Sequence, residues 1–304
     1  MTPDQFTISE QMLPVADGHQ LYVQDWGNPK AKTPIIFLHG GPGSGVKDKH
    51  KGVFNPEKQR VIFFDQRGSG RSLPYGSLDH NTTQDLIEDI EKIVDNTKLT
   101  TFVMTGGSWG SCLALAYAIV HPKQVTAMVL SGIFTGTQKE MDWVAEGEFR
   151  TFFPELWDSL LEQTPASHKK NPADYHIKQI LSGSEAESRK SAYIYGNVES
   201  ALLSLDDRFT AEDPETFDDS STKIETHYSS QKCFLADNYI LNNAPKLTMP
   251  IWLVQGRYDM VCPPVTAYAL DKKLPNSQLI WTINGHRAEH ESLNVQRTIL
   301  SQWS

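Results

Sequence analysis

The sequence predicts an α/β protein: a mostly parallel central sheet flanked by helices, with an inserted, mostly helical cap. Three observations carry this. Short apolar runs recur at Ile35–Leu38, Val61–Phe64, Thr101–Thr105, Val125–Leu130 and Ile251–Gln255. Segments with helical spacing separate several of them. From about Phe134 to Asn243 that alternation lapses, and the chain becomes richer in Asp, Glu, Ser, Trp and Tyr. Strands buried on both faces read as continuous apolar runs, and parallel neighbours need a crossover that is usually a helix.

The elements follow in order. Phe6–Val15 and Gln20–Trp26 read as strands joined by the turn signal Asp17-Gly18. Ile35–Leu38 stops at His39-Gly40-Gly41-Pro42-Gly43, and Val61–Phe64 stops at Asp65-Gln66-Arg67-Gly68. Leu86, Ile87, Ile90, Ile93 and Val94 lie on one face of a helix expected from Asn81 to about Asn96. Thr101–Thr105 runs into Gly106-Gly107-Ser108-Trp109-Gly110, and the small, apolar Ser111–Val120 reads as a buried helix closed by His121-Pro122. After the insertion come Ile251–Gln255, Gln278–Ile283 and a final helix from about Ala288 to Gln302. The expected division is a core domain of residues 1–133 and 244–304 with a cap of residues 134–243.

The 304 residues can bury a large core, and a net charge of −9 argues against a nucleic-acid partner, which needs a basic surface. No apolar run is long enough to span a membrane, and Met1 to Gln11 lacks the pattern of a secretory signal. Three scattered cysteines make neither a disulfide framework nor a zinc site. The expectation is a cytoplasmic protein with no metal, no cofactor and no membrane or nucleic-acid partner.

Gly106-x-Ser108-x-Gly110 carries the strongest chemical signal. A serine hydroxyl is a poor nucleophile unless it is exposed, held and paired with a base. A sharp strand-to-helix turn exposes it, and flanking glycines relieve the crowding of such a turn. No Lys-Ser/Thr pair follows the glycines, so the stretch is not a phosphate-binding loop. His39-Gly40-Gly41-Pro42-Gly43 stands where an oxyanion hole is needed, with Gly41 and Trp109 as the expected backbone donors. Such donors are worth roughly 3–4 kcal/mol to a tetrahedral intermediate.

On the α/β-hydrolase fold, which this nucleophile turn identifies, the acid and then the base follow the serine. His286 is preferred as base because Gly285-His286 follows the last strand, in a loop before the final helix. Asp259 is preferred as acid because it follows Ile251–Gln255 through Gly256-Arg257-Tyr258. An acidic partner fixes the imidazole tautomer and stabilises the imidazolium. His290 falls inside the expected helix; His227, His121 and His39 read as structural. Asp65 precedes the serine and reads as support for the active face. Cys262 lies three residues past Asp259, near enough in sequence to approach the site.

His39-Gly40-Gly41-Pro42-Gly43, Asp65-Gln66-Arg67-Gly68-Ser69-Gly70-Arg71-Ser72 and Gly106-Gly107-Ser108-Trp109-Gly110-Ser111 resemble the proline iminopeptidases, also called prolyl aminopeptidases. So do Gly132-Ile133-Phe134, Asp142-Trp143, Phe153-Pro154-Glu155-Leu156-Trp157, Ile224-Glu225-x-His227-Tyr228, Gly256-Arg257-Tyr258-Asp259 and Gly285-His286, along nearly the whole chain. The resemblance implies a cytosolic serine exopeptidase that removes one N-terminal residue, typically proline, from short peptides with a free N-terminus. It implies that Glu225 binds the substrate amine and that Phe134 packs on the proline ring. Three departures bear on specificity. The family's second amine-binding glutamate lies in a Trp-x-x-Trp-Glu pattern, where this chain has Tyr193-Ile194-Tyr195-Gly196-Asn197. Asn197 is the aligned residue, or Glu199 serves after a small shift. Ser131 replaces an arginine, and Val144 an aromatic residue. An esterase or amidase on the same fold and a broader aminopeptidase remain alternatives, as does a non-catalytic protein that kept the fold.

Overall fold

The computed structural model describes residues 4–203, 205, 213, 214 and 216–304. Its strands are β1 (Thr7–Pro14), β2 (Gln20–Gly27), β3 (Ile35–Leu38), β4 (Arg60–Phe64), β5 (Phe102–Ser108), β6 (Val125–Ile133), β7 (Ile251–Gly256) and β8 (Ser277–Thr282). They form one sheet in the order β1-β2-β4-β3-β5-β6-β7-β8. β1 pairs antiparallel with β2, and β2 with β4. From β4 to β8 every pairing is parallel. The carboxyl ends of those strands therefore lie along one edge, and the loops that leave them share one face.

The helices are α1 (Thr83–Thr97), α2 (Trp109–Val120), α3 (Gln138–Ala145), α4 (Pro154–Glu162), α5 (Pro172–Ser182), α6 (Glu185–Leu202), α7 (Ser220–Ser230), α8 (Tyr239–Asn243), α9 (Pro264–Asp271) and α10 (His290–Leu300). α1 starts where Thr82 accepts from the Asp85 amide while Asp85 reaches back to the Thr82 amide, a reciprocal cap that sets its first turn two residues after Asn81. α2 is apolar all round because it is buried all round, from Trp109 to Ala118. Two clusters sandwich the sheet: one joins Ile36, Leu38 and Met104 to α1 and α2, the other joins Val61, Phe63 and Val103 to α10.

Two features depart from the sequence-based expectation. β6 runs three residues past Leu130 to Ile133, because Ser131 continues its pairing with both Gly107 and Val254 despite the adjacent glycine. α9 occupies a stretch for which the sequence suggested no element; its eight residues follow Pro263 and bury only Thr266, Ala267 and Leu270, too short a stripe to read as a period. Among the described residues, the regular elements between β6 and β7 are all helices, α3 to α8 with short 3-10 turns. They pack in two ways. Phe149, Leu160, Ile194, Val198 and Leu202 form their own buried cluster. Ile224, Tyr228, Cys233 and Ile240 belong instead to the main core beside α1 and α2.

The turn after β4 is held by charge. Arg67 is fully buried and meets Asp89 of α1 through two parallel bonds, Nε to Oδ2 at 2.7 Å and Nη2 to Oδ1 at 2.8 Å, and also donates to the His80 carbonyl at 2.5 Å. Burial alone would favour a neutral Arg67, but the hydrogen bond and charge of Asp89 hold the guanidinium protonated. Asp89→Ala removes the two-pronged partner and leaves the buried cation only the looser ion pairs with Asp17 and Asp85, both 3.7 Å away, and we expect a stability loss of about 3 kcal/mol in denaturant titrations. Asp89→Asn, which keeps part of the hydrogen bonding, should lose less.

Candidate active site

Ser108 ends β5 and precedes α2 with φ 57° and ψ −129°, a conformation that non-glycine residues rarely adopt. The turn is tight against the neighbouring strand. A Cβ on Gly106 would stand 2.7 Å from the Leu38 carbonyl oxygen, and one on Gly110 would overlap that same oxygen. The motif's two glycines are thus required by backbone contact with β3.

That contact brings the loop after β3 to the serine. A Cβ on Gly40 would lie 3.3 Å from the Ser108 Cβ and 3.9 Å from its Oγ. Gly41 has φ +103°, and a side chain there would crowd the amides of Gly43 and Ser44. Trp109 is the first residue of α2, so its amide has no partner within the helix. Of the two residues expected to donate to an oxyanion, Trp109 follows the serine directly and Gly41 follows the Gly40 that packs against it.

Asp259 and His286 leave the ends of β7 and β8. His286 Nδ1 lies 2.9 Å from Asp259 Oδ2 and 3.0 Å from Oδ1. The carboxylate is buried and saturated: Oδ1 accepts the amides of Val261 at 3.0 Å and Cys262 at 2.7 Å, and Oδ2 accepts Gln255 Nε2 at 3.1 Å. Gln255 Oε1 in turn accepts the Ile133 amide at 2.7 Å, which ties the acid to the end of β6. Burial pushes the His286 imidazole down, but the charge and hydrogen bond of Asp259, with the charge of Glu199 added, raise it above its ordinary 6.5.

The imidazole and the backbone of Ser108 both border Gly132. A Cβ on that residue, whose φ is +50°, would sit 3.1 Å from His286 Cε1 and 3.6 Å from the Ser108 amide nitrogen. Cys262 is buried with its thiol within hydrogen-bonding reach of the Ser108 side chain. Burial pushes that thiol well above its usual range, and the nearby Asp259 charge adds to the effect.

The inserted helices contribute acid. Glu225 of α7 is hydrogen-bonded to Glu199 of α6, and desolvation together with the Glu199 charge holds Glu225 well above an ordinary carboxyl. Tyr195 is raised first by burial and then by both of these carboxylates. Tyr195 and Glu199 are four residues apart on α6 and share a face, whereas Asn197, midway between them, points the other way. Asn197 lines a surface groove of about 160 Å³ with Leu156, Ser159, Gln163, Tyr193 and Ile194. The structure brings Glu199, not Asn197, to Glu225 and to the imidazole. Helical phase from Tyr195 was the available signal.

Phe134 is part-buried at the end of β6, and its amide donates to Ser111 Oγ at 3.0 Å. Ser131 faces Gly107, its Oγ 2.8 Å from where a Cβ would stand. Val144 packs in the cluster of α4 and α6. Sequence reasoning passed over Gln255, whose amide holds Asp259, because nothing in a strand's last residues marks a side chain that turns back to the loop. Among the described residues no group of His, Cys, Asp and Glu could hold a metal ion, and no helix is long and apolar enough to cross a membrane.

Residues 33–287 match the family described as alpha/beta hydrolase fold. The chain is 38% identical over 278 residues to a probable proline iminopeptidase of Leptolyngbya boryana, covering 88% of this chain and 85% of that one. It is 35% identical to a proline iminopeptidase of Arabidopsis thaliana, over 95% of this chain and 78% of that one. Among solved structures, an esterase from Exiguobacterium antarcticum superposes with a TM-score of 0.66 at 21% identity, covering 97% of this chain and 99% of that one. A proline iminopeptidase of Mycobacterium smegmatis gives 0.62 at 17%, over 97% of each chain. At those identities the structures share the fold alone. The sequence relatives go further: this chain belongs to the proline iminopeptidase family of the α/β-hydrolase fold.

Proposed function

We propose that this protein is a serine exopeptidase that releases an N-terminal residue, with proline preferred, from short peptides through an acyl-enzyme. One observation carries the reading: Glu225, desolvated and hydrogen-bonded to Glu199, is linked through Glu199 to the His286 imidazole, which borders Gly132 beside the Ser108 backbone. An anion at that place recognises a cation one residue from the attacked carbonyl, and a free N-terminus is such a cation. The names of the sequence relatives support the same substrate class.

In this mechanism Ser108 Oγ attacks the carbonyl carbon of the first residue while His286 Nε2 takes its proton. Asp259 holds Nδ1–H and balances the imidazolium. The amides of Trp109 and Gly41 receive the oxyanion. His286 then gives the proton to the leaving amine, the C–N bond breaks, and water repeats the sequence to free the acid. Phe134 provides an apolar wall for the pyrrolidine ring. Glu225 and Glu199 hold the ammonium, so Glu199 rather than Asn197 is the second amine-binding residue. The inserted helices, residues 134–243, act as a cap that limits the substrate to short peptides. Three buried, unbonded cysteines support a cytoplasmic location.

Release of amine from prolyl, alanyl and leucyl amides tests the reading. Proline should lead, and Ser108→Ala should lose on the order of 10⁴-fold or more in kcat. Cleavage of N-blocked substrates or simple esters alone would make the protein an esterase or amidase. Replacing both acids, Glu199→Gln with Glu225→Gln, removes the anion. We expect kcat/KM on aminoacyl substrates to fall by about 2–5 kcal/mol, while a neutral ester changes little.

The pH dependence has a definite sign. Burial first, and then the neighbouring Glu199, raise the Glu225 carboxyl above the ordinary 4.5. A bound ammonium favours the ionised form, so binding must expel that proton. Affinity for an unreactive amine such as prolinol should rise with pH until Glu225 ionises in the free protein, and then level off. Calorimetry in buffers of different ionisation enthalpy should register proton release, and Glu225→Gln should abolish it. Binding with no proton exchange in the wild type would contradict the shared-proton pair.

A further inference from the structure

Both expected oxyanion donors belong to backbone segments that meet one buried side chain. Gln66 follows β4 and is 1% exposed. Its Nε2 donates to the His39 carbonyl oxygen at 3.0 Å, and its Oε1 accepts from Trp109 Nε1 at 2.8 Å. Its own backbone amide donates to His39 Nε2 at 3.0 Å. That bond requires an unprotonated Nε2, so the proton lies on Nδ1, which is 2.9 Å from the Gly40 carbonyl oxygen and donates to it. Burial keeps this imidazole neutral. His39, Gln66 and Trp109 are all essentially inaccessible to water, so each bond is made in a medium where leaving it unmade is costly.

We propose that Gln66 is a positioning residue for the oxyanion hole, a strut that fixes the separation of the Gly41 and Trp109 amides. The inference rests on the acyl-transfer reading above. His39 is two residues before Gly41, and its carbonyl and ring are both tied to Gln66. Trp109 is anchored at the far end of its indole by the same amide, with its ring edge-on to Tyr228 at 4.7 Å. The Gln66 side chain hydrogen-bonds to His39 and Trp109, and acts on the reaction only through them. Its side chain spans the two segments that no regular hydrogen bonding joins beyond the last β3–β5 pair, Leu38 with Gly106. A transition state needs both donors at one oxygen, and an error near 1 Å there costs on the order of 100-fold.

A merely structural glutamine and a positioning one differ in what its removal weakens. A boronic acid analogue of proline accepts the Ser108 oxygen at boron while His286 takes the hydroxyl proton. It then presents a tetrahedral, anionic group to the oxyanion donors. Prolinol occupies the amine site without reaching them. The experiment measures both affinities, with kcat and KM for a prolyl amide, in wild type, Gln66→Leu, Trp109→Phe and the double variant.

We expect Gln66→Leu to lose about 10- to 100-fold in boronate affinity and in kcat, with prolinol affinity and KM within about threefold of wild type. Trp109→Phe should show a smaller loss of the same kind. In the Gln66→Leu background it should add little, since the strut is already gone. Equal loss of both ligands, or full retention of boronate affinity and kcat, overturns the proposal. If Gln66→Leu fails to fold, the conservative Trp109→Phe decides by the same ratio. A wild type that neither binds the boronate nor cleaves prolyl amides refutes the exopeptidase reading instead, which keeps the two failures apart.

Discussion

The strained backbone of Ser108 is the constraint on which the site depends. A non-glycine residue at φ 57° and ψ −129° costs about 1–3 kcal/mol, and it persists only where its surroundings leave no alternative. Here the surroundings are the Leu38 carbonyl, pressed against Gly106 and Gly110 so closely that neither can carry a side chain. The parallel pairing of β3 with β5 supplies that pressure, since Leu38 pairs with Gly106 in register. Slipping the register so that Thr105 met Leu38 would present a side chain to the carbonyl and release the turn. The exposed hydroxyl is therefore a consequence of sheet register, and the loop of His39 to Gly43 reaches the serine for the same reason.

Charge is distributed around this turn in a graded way. Asp259 is buried and saturated by two amides, one side-chain amide and the imidazole. Burial, and then the charge of Glu199, hold the Glu225 carboxyl well above its ordinary value. The His286 imidazole, pushed down by burial, is raised by the charges of Asp259 and Glu199.

Much of the core was legible because its signals are local. Apolar runs fixed six of the strands to within a few residues, and the glycines around Ser108 declared a turn whose steric reason the structure supplies. Asp259 and His286 could be selected from the order of the chain and their placement after strands. In the cap the local signal is weaker. α6 and α7 lie in a segment where apolar residues are diluted by charge, and the resemblance left two positions open for the second glutamate, Asn197 by alignment and Glu199 after a small shift. The helix's own 3.6-residue period puts Glu199 on the face of Tyr195. Gln66 and Gln255 were silent for a different reason. Their importance lies in partners 43 and 122 residues away, Trp109 and Ile133, and no local pattern encodes a hydrogen bond of that span.

The carboxyl pair also explains why the inserted helices are not free to behave as a separate body. α7 brings Glu225 on a helix whose Ile224 and Tyr228 are packed into the main core, over the loop where a side chain on Gly43 would meet Ser221 and Ile224. α6 brings Glu199 from the other cluster, and that cluster is fastened to the acid's own loop: Met260 and Val261 pack into it, and Trp143 Nε1 donates to the Met260 carbonyl at 2.7 Å. The end of α6 is fastened again to the loop of the base, where the Arg287 amide donates to the Leu203 carbonyl at 2.7 Å. Each carboxylate is thus referenced to a different part of the catalytic face, Glu225 to the glycine loop and Glu199 to Asp259 and His286. Their mutual distance is set by the core, and a carboxyl pair held at fixed spacing can select a compact ammonium by geometry as well as by charge.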